Sequence, residues 1–163
     1  CVIKLLVVQG MIKMRVYPTS PHVHWNLSAV DFVSEAIIAM IKENIQTGQL
    51  KIYNVNFPHE TVSMETLVSW INEEGYGVFA VEYSSWKERL NHVAPDNPLI
   101  KLRDVFQSVS QFPLSSAPPA KQLYALLDKW KVVPRGLSKE VFHILIQKML
   151  DQKCIPPREV KSK

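Results

Sequence analysis

A chain of 163 residues, 47% apolar and 21% charged, is long enough for one core that buries about two-thirds of the unfolded surface. That excludes a disulfide-dependent miniprotein and wholesale disorder. The net charge of +4 sits largely at the two ends, in Lys4, Lys13 and Arg15 and in Arg158, Lys161 and Lys163, so no basic nucleic-acid face is expected.

From Val2 to Met14 the apolar residues follow a mostly helical rhythm, with Lys4, Gln9 and Lys13 on the remaining face, which predicts an opening helix. Two prolines between Tyr17 and Pro21 force the chain out of it. A short strand is expected through Val23 to Leu27. Ser28 then reads as the N-cap of a helix through Asp31 to Ile45, with Asp31 in the first turn where the helix dipole favours a carboxylate. Val30, Val33, Ile37, Ile41 and Ile45 recur at three and four, and this stripe is expected to pack inward. Gly48 stops the helix. Leu50 to Phe57, rich in β-branched and aromatic residues and ended by Pro58, reads as a strand.

Ser63 caps a further helix that runs through Trp70 and Ile71 to Glu74 and Gly75. Val78 to Glu82 reads as a strand, and Ser84 and Ser85 offer N-caps for a helix through His92. The Pro95-Asp96-Asn97-Pro98 cluster breaks that helix, and Leu99 to Val109 reads as the next. Gln111 to Pro119 holds three prolines and two serines. Two helices follow, Ala120 to Trp130 and Ser138 to Lys153, turned by Pro134-Arg135-Gly136. Helix and strand alternate over the first hundred residues, so the fold class is α/β with a helical end. Two or three strands are too few for a parallel sheet covered on both faces.

No uncharged apolar run reaches the roughly 18 residues of a membrane span, so a soluble chain is expected. The first residue is Cys1 rather than Met, and the opening stretch carries no signal-peptide cleavage pattern. The chain therefore reads as part of a longer polypeptide. Two cysteines, Cys1 and Cys154, make neither a disulfide framework nor a metal site, which suits a reducing cytoplasmic compartment.

Motifs for chemistry are sparse. His22 and His24 stand on one side of an extended segment, but no third ligand is near in sequence. No Gly-x-Ser-x-Gly elbow is present. The five glycines form no Gly-x-Gly-x-x-Gly turn, and Gly75-Tyr76-Gly77 follows a helix rather than a strand. Tyr83 and Lys87 have the Tyr-x-x-x-Lys spacing yet straddle a strand-to-helix boundary, which favours a structural role. Catalytic, cofactor-binding and metal residues are each read as none. Of the four tryptophans, Trp70, Trp86 and Trp130 are expected in the core, and Trp25 as a pocket wall.

The stretch His24 to Ile37 (HWNLSAVDFVSEAI) resembles the "vnfvpVDyVakAI" segment of extended short-chain dehydrogenase/reductases. Ile52 to His59, then Val62-Ser63-Met64 and Leu67 to Ile71, is similar to the "yHlvNPhpvsWdeLlewl" run of thioester reductase domains. Gly75-Tyr76, Val81-Glu82-Tyr83, Trp86 and Leu90 resemble "GYplerVpyeeWlerL", and Asp96-Asn97-Pro98-Leu99 resembles "dNPLapL". The order and spacing hold over about 110 residues. Asn54 and Phe57 stand where that family has His and Asn, and Ala29 stands for the Pro before Val-Asp.

The resemblance implies the C-terminal portion of a Rossmann-like extended reductase fold with a largely helical substrate-side subdomain. Residues 1–112 would hold the last Rossmann elements and substrate subdomain, 113–119 a linker, 120–157 closing helices and 158–163 a basic tail. It implies a part of an NADPH-dependent terminal reductase of nonribosomal peptide synthetases and polyketide synthases, releasing a thioester as aldehyde or alcohol. The partners implied are a carrier protein bearing a phosphopantetheine arm and the preceding part of the same polypeptide. The family's glycine-rich cofactor loop and catalytic residues fall before Cys1, so the fragment alone would be inactive. Pro18, Trp25 and Asn54, near the ends of extended segments, are the candidate substrate-wall residues. The alternatives are a noncatalytic docking module for carrier proteins and an extended reductase acting on free small molecules.

Overall fold

The structure, a computed structural model, describes residues 2–19, 24–25, 27–55, 62–110 and 120–158. The elements in chain order are α1 (Val2–Met14), β1 (Val16–Pro18), β2 (His24–Trp25), α2 (Val30–Thr47), β3 (Val62–Ser63), α3 (Met64–Glu73), β4 (Phe79–Val81) and α4 (Tyr83–Asn91). A 3₁₀ turn (Pro98–Leu102), α5 (Arg103–Gln107), α6 (Lys121–Lys129) and α7 (Lys139–Asp151) complete them. The fold is mixed α/β and mainly helical, with two two-stranded sheets, β1 with β4 and β2 with β3. Expected features over His22–Val23, 56–61, the linker 113–119 and the tail beyond Arg158 lie outside the described residues.

The chain divides into two units, Cys1–Val23 with Ser63–Ser115 and Ser138–Lys163, and His24–Val62 with Ser116–Leu137. α6 falls in the second unit and α7 in the first.

In the first unit β1 and β4 run parallel, with Val16 opposite Phe79, Tyr17 opposite Ala80 and Pro18 opposite Val81. Phe79 N donates to Arg15 O at 3.1 Å and Thr19 N to Val81 O at 2.8 Å, extending the ladder on both sides of Pro18, which has no N–H to give. α1 lies against the 3₁₀ turn through a contact only glycine permits. A Cβ on Gly10 would fall 2.2 Å from Leu99 Cγ. Asn97 fixes the pairing from the other side: its Oδ1 accepts from Leu99 N at 2.9 Å and its Nδ2 donates to Gly10 O at 3.3 Å. The Asp-Asn-Pro-Leu motif is therefore a cap and a buried strap in one.

Asn72 works in the same way, donating to Val78 O at 2.8 Å and accepting from Val78 N at 2.6 Å, so the chain after α3 turns back at Gly75, whose φ of 94° suits glycine. Tyr76 Oη then donates to Pro156 O at 3.0 Å. Glu74 accepts from Arg158 at 2.7 Å and also contacts His143, so Arg158, expected in a basic tail, is a structural ion-pair partner. Ser63 caps α3 as expected, accepting from Thr66 N at 3.1 Å, and Ser138 caps α7.

In the second unit Phe32, Ala36 and Ala39 of α2 pack on Ala120, Leu123, Leu126 and Leu127 of α6. Each large side chain so buried contributes about 1.5–3 kcal/mol. Below this core, Glu43 takes Lys129 Nζ at 2.6 Å and Trp130 Nε1 at 3.2 Å, with Lys51 3.8 Å away. At the start of α2, Arg135 bonds Asp31 and, at 2.9 Å, Glu35.

Several expectations are corrected. Ser28 does not cap α2; it forms a bridge with Gly136, and Ala29 holds the cap position without a side-chain bond. Ser84 and Ser85 lie inside α4, which starts after Glu82. Leu99–Val109 is not one helix but the 3₁₀ turn followed by α5, because the Asn97 cap and Pro98 tighten the first turn. The stripe Val30, Ile37, Ile41 and Ile45 faces outward, and the buried face of α2 is the smaller Phe32, Ala36, Ala39 row. Residues 50–55, expected as part of a strand, are in irregular backbone.

The Phe32 backbone N–H, and then Arg135, hold the Asp31 carboxyl below its ordinary value; Lys129, and then Trp130, do the same for Glu43. A lowered carboxylate pKa adds stability that is complete above the ordinary carboxylate range near pH 4 and is lost as pH falls through the lowered value. Thermal unfolding followed by circular dichroism should therefore show the melting temperature falling below about pH 4. Asp31→Asn and Glu43→Gln should each flatten that acid limb.

Candidate functional site

A cavity of about 1150 Å³ lies within the first unit. Three segments distant in sequence close it: the end of α1, the end of α4 with the turn after it, and the chain leaving α7. Its apolar wall comes from Ile12, Met14, Val93, Leu150 and Ile155. Its charged residues are Lys13, Arg15, Arg89 and Lys153 against Glu88 and Asp96, with His92 beside them. Lys13 is committed to the Asp96 carboxylate and to Asp96 O at 3.0 Å, and Arg89 stands over the Phe79 ring at 5.8 Å.

Arg15 and Lys153 share an unusual backbone. Both follow a helix C-terminus with positive φ, 57° and 56°, where glycine is the unstrained choice. A non-glycine residue there costs of order 1 kcal/mol, offset in part by a cation near the negative helix end. Lys131, after α6, has the same geometry outside the cavity. At two of these three helix ends, then, a long basic side chain stands on the cavity lining where a glycine would fit the backbone better.

Among the described residues, none that lines the cavity carries a hydroxyl or thiol. The lining pairs apolar side chains with basic ones, a combination suited to an apolar ligand that carries an anionic group.

Pro18 is buried at the end of β1 in the first unit, whereas Trp25 and Asn54 belong to the second, and none of the three lines the cavity. Trp25 is 1% exposed, and its indole N–H meets no acceptor among the described residues. Asn54 is exposed. The Tyr83 hydroxyl donates to Phe106 O at 2.9 Å and Lys87 Nζ to Val109 O at 3.3 Å, so both ends of the Tyr-x-x-x-Lys pair anchor backbone. Among the described residues no group of three or more His, Cys, Asp and Glu could hold a metal ion.

The β4–α4 turn does not fit a dinucleotide's pyrophosphate. The turn from β4 into α4 presents Glu82, a carboxylate, where a pyrophosphate would require glycine N–H groups. Sequence reasoning missed the cavity itself; the signals that point to it are the Asp96-Asn97 motif on one wall and Ile155-Pro156-Pro157 on another.

No family model matches the chain. It is 29% identical over 100 residues to the nonribosomal peptide synthetase asaC of Aspergillus flavus, a match that takes in 60% of this chain and 10% of that protein. It superposes on the terminal R domain from the myxalamid PKS-NRPS biosynthetic pathway with a TM-score of 0.81 and 20% identity, over 96% of this chain and 40% of that one. The chain thus has the α/β fold of part of a terminal R domain, and it spans less than half of that domain. Among the described residues no helix is long and apolar enough to cross a membrane.

Proposed function

We propose that this chain is the C-terminal part of an NADPH-dependent terminal thioester reductase that releases a carrier-bound acyl or peptidyl thioester as aldehyde or alcohol. The observation that carries the reading is the likeness to the terminal R domain over nearly the whole chain; the ordered motifs from His24 to Leu99 support it. Residues 1–112 and 120–157 supply substrate-side structure, and the cofactor half belongs to the rest of the polypeptide, in a reducing, cytoplasmic setting. Holding the thioester in place and excluding water is a distinct task from redox chemistry, so a chain without catalytic groups still has a role.

The partner is an acyl or peptidyl carrier protein. The cavity suits its arm, with Arg15 and Lys153 for the phosphate and Ile12, Val93 and Ile155 along the pantetheine. Pro18, Trp25 and Asn54 are proposed as walls for the acyl group; a buried indole N–H without an acceptor is a group that a ligand carbonyl would satisfy.

The test is turnover by the polypeptide containing this chain, with carrier-tethered and free acyl thioester compared. Tethered substrate is expected to be preferred, and Arg15→Ala with Lys153→Ala should raise KM for it by about tenfold with kcat little changed, as for loss of uniform binding. Equal use of both substrates would instead support an enzyme of free small molecules, and absence of NADPH oxidation with either would support a docking module.

A further inference from the structure

Two of the three walls of the cavity in the first unit are tied to each other. Asn97, in the turn after α4, donates to Gly10 O of α1 at 3.3 Å, and Lys13 of α1 donates to Asp96 O at 3.0 Å and to its carboxylate. The third wall, Ile155-Pro156-Pro157, is attached differently. α7 is closed off by two backbone bonds, Lys153 N to Leu150 O at 2.9 Å and Cys154 N to Met149 O at 2.8 Å. Beyond Cys154, residues 155–158 make no backbone–backbone hydrogen bond with another described residue. Pro156 and Pro157 have no N–H to give.

Side-chain contacts hold this segment instead. Ile155 is buried, 4% exposed. Tyr76 Oη donates to Pro156 O at 3.0 Å, and Arg158 donates to Glu74 at 2.7 Å and to Gln147 at 3.1 Å. Where the segment leaves α7, Lys153 stands at φ 56°, a strained conformation for a residue other than glycine. A wall fixed by one apolar plug and a few side-chain bonds, beside a strained residue, opens at lower cost than walls carried by helices tied to each other.

We propose that residues 155–158 are a hinged wall of the cavity, turning about the end of α7 and latched by Tyr76 and Glu74, which opens to admit a ligand and closes over it. The proposal deepens the reading of the cavity as the seat of a carrier arm and rests on that reading for the ligand's identity.

Thiol labelling tests it in the polypeptide that contains this chain, with the site of modification read by mass spectrometry of its peptides. Ile155→Cys, made with Cys154→Ser, places a thiol on the buried plug. Adding Tyr76→Phe with Arg158→Ala should speed labelling there by at least about tenfold, and phosphopantetheine should slow it again by a similar factor. A thiol from Val8→Cys, buried in α1 of the same unit, should respond to neither. Equal labelling at position 155 with and without the latch would overturn the proposal, as would indifference to phosphopantetheine. A rise at positions 8 and 155 together would overturn it in favour of general loosening. Where these variants do not accumulate, hydrogen exchange of the Ile155 amide in the unaltered polypeptide decides the matter: phosphopantetheine should slow it, and an unchanged rate would overturn the proposal. A wall that responds to latch and phosphopantetheine without any thioester reduction would stand while the reductase reading fell; reduction with a wall that ignores both would do the reverse.

Discussion

Replacing Trp86 by alanine should cost about 3–5 kcal/mol of folding free energy, the range for truncating a large buried aromatic. Trp86 is wholly buried in the first unit. Its ring meets Phe106 edge-on with centroids 5.1 Å apart and stacks on Tyr83 at 6.0 Å, so it joins α4 to α5. Such pairs add about 0.5–1.5 kcal/mol beyond the area they bury. Urea unfolding of Trp86→Ala and Trp86→Phe separates the contributions: the phenylalanine variant keeps a ring and should lose less than half as much. Equal loss in both would mean that the indole's size, not its aromatic contacts, sets the cost.

Gly10→Ala should destabilise the first unit although alanine is the better helix former. In an exposed helix interior the change would stabilise by about 1 kcal/mol. Here the new methyl falls 2.2 and 2.4 Å from Leu99 Cγ and Cδ1 and 3.0 Å from Asn97 Oδ1. Leu99 is fully buried and Asn97 nearly so, held by two hydrogen bonds, so neither can move aside freely. Overpacking of this kind costs about 1–3 kcal/mol, occasionally more, which leaves a net loss of up to about 2 kcal/mol. Leu99→Ala alone should cost about 2–5 kcal/mol through its cavity. The double variant should cost clearly less than the two added, since the alanine methyl occupies space that the leucine vacates. Additive losses would show that α1 and the 3₁₀ turn do not touch at Gly10.

These two sites illustrate what the sequence could and could not reveal. α1, α3, α6 and α7 were legible because apolar spacing, the cap at Ser63 and the stop at Gly75 are local signals. The orientation of α2 was not. The periodicity rule picks the bulkiest stripe as the buried one, and in α2 the bulky isoleucines face out while Phe32 and two alanines face the core. The same limit applies to residues 50–55: their composition reads as a strand, but a strand exists only where a partner supplies its ladder. The Asp-Asn-Pro-Leu motif was visible as a resemblance, yet its work depends on Gly10, 87 residues away from Asn97. The cavity is likewise an assembly of three distant segments, and nothing local in the sequence sets Arg15 and Lys153, two of the basic residues on its lining, apart from other cations.

The most direct measurement loads the carrier protein of the longer polypeptide with an acyl thioester, supplies NADPH labelled with deuterium at its transferable position, and identifies the released product by mass spectrometry. The account predicts an aldehyde bearing one deuterium, or the alcohol formed from it, with NADPH consumed in proportion. Release of unlabelled carboxylic acid, with NADPH untouched, would contradict it.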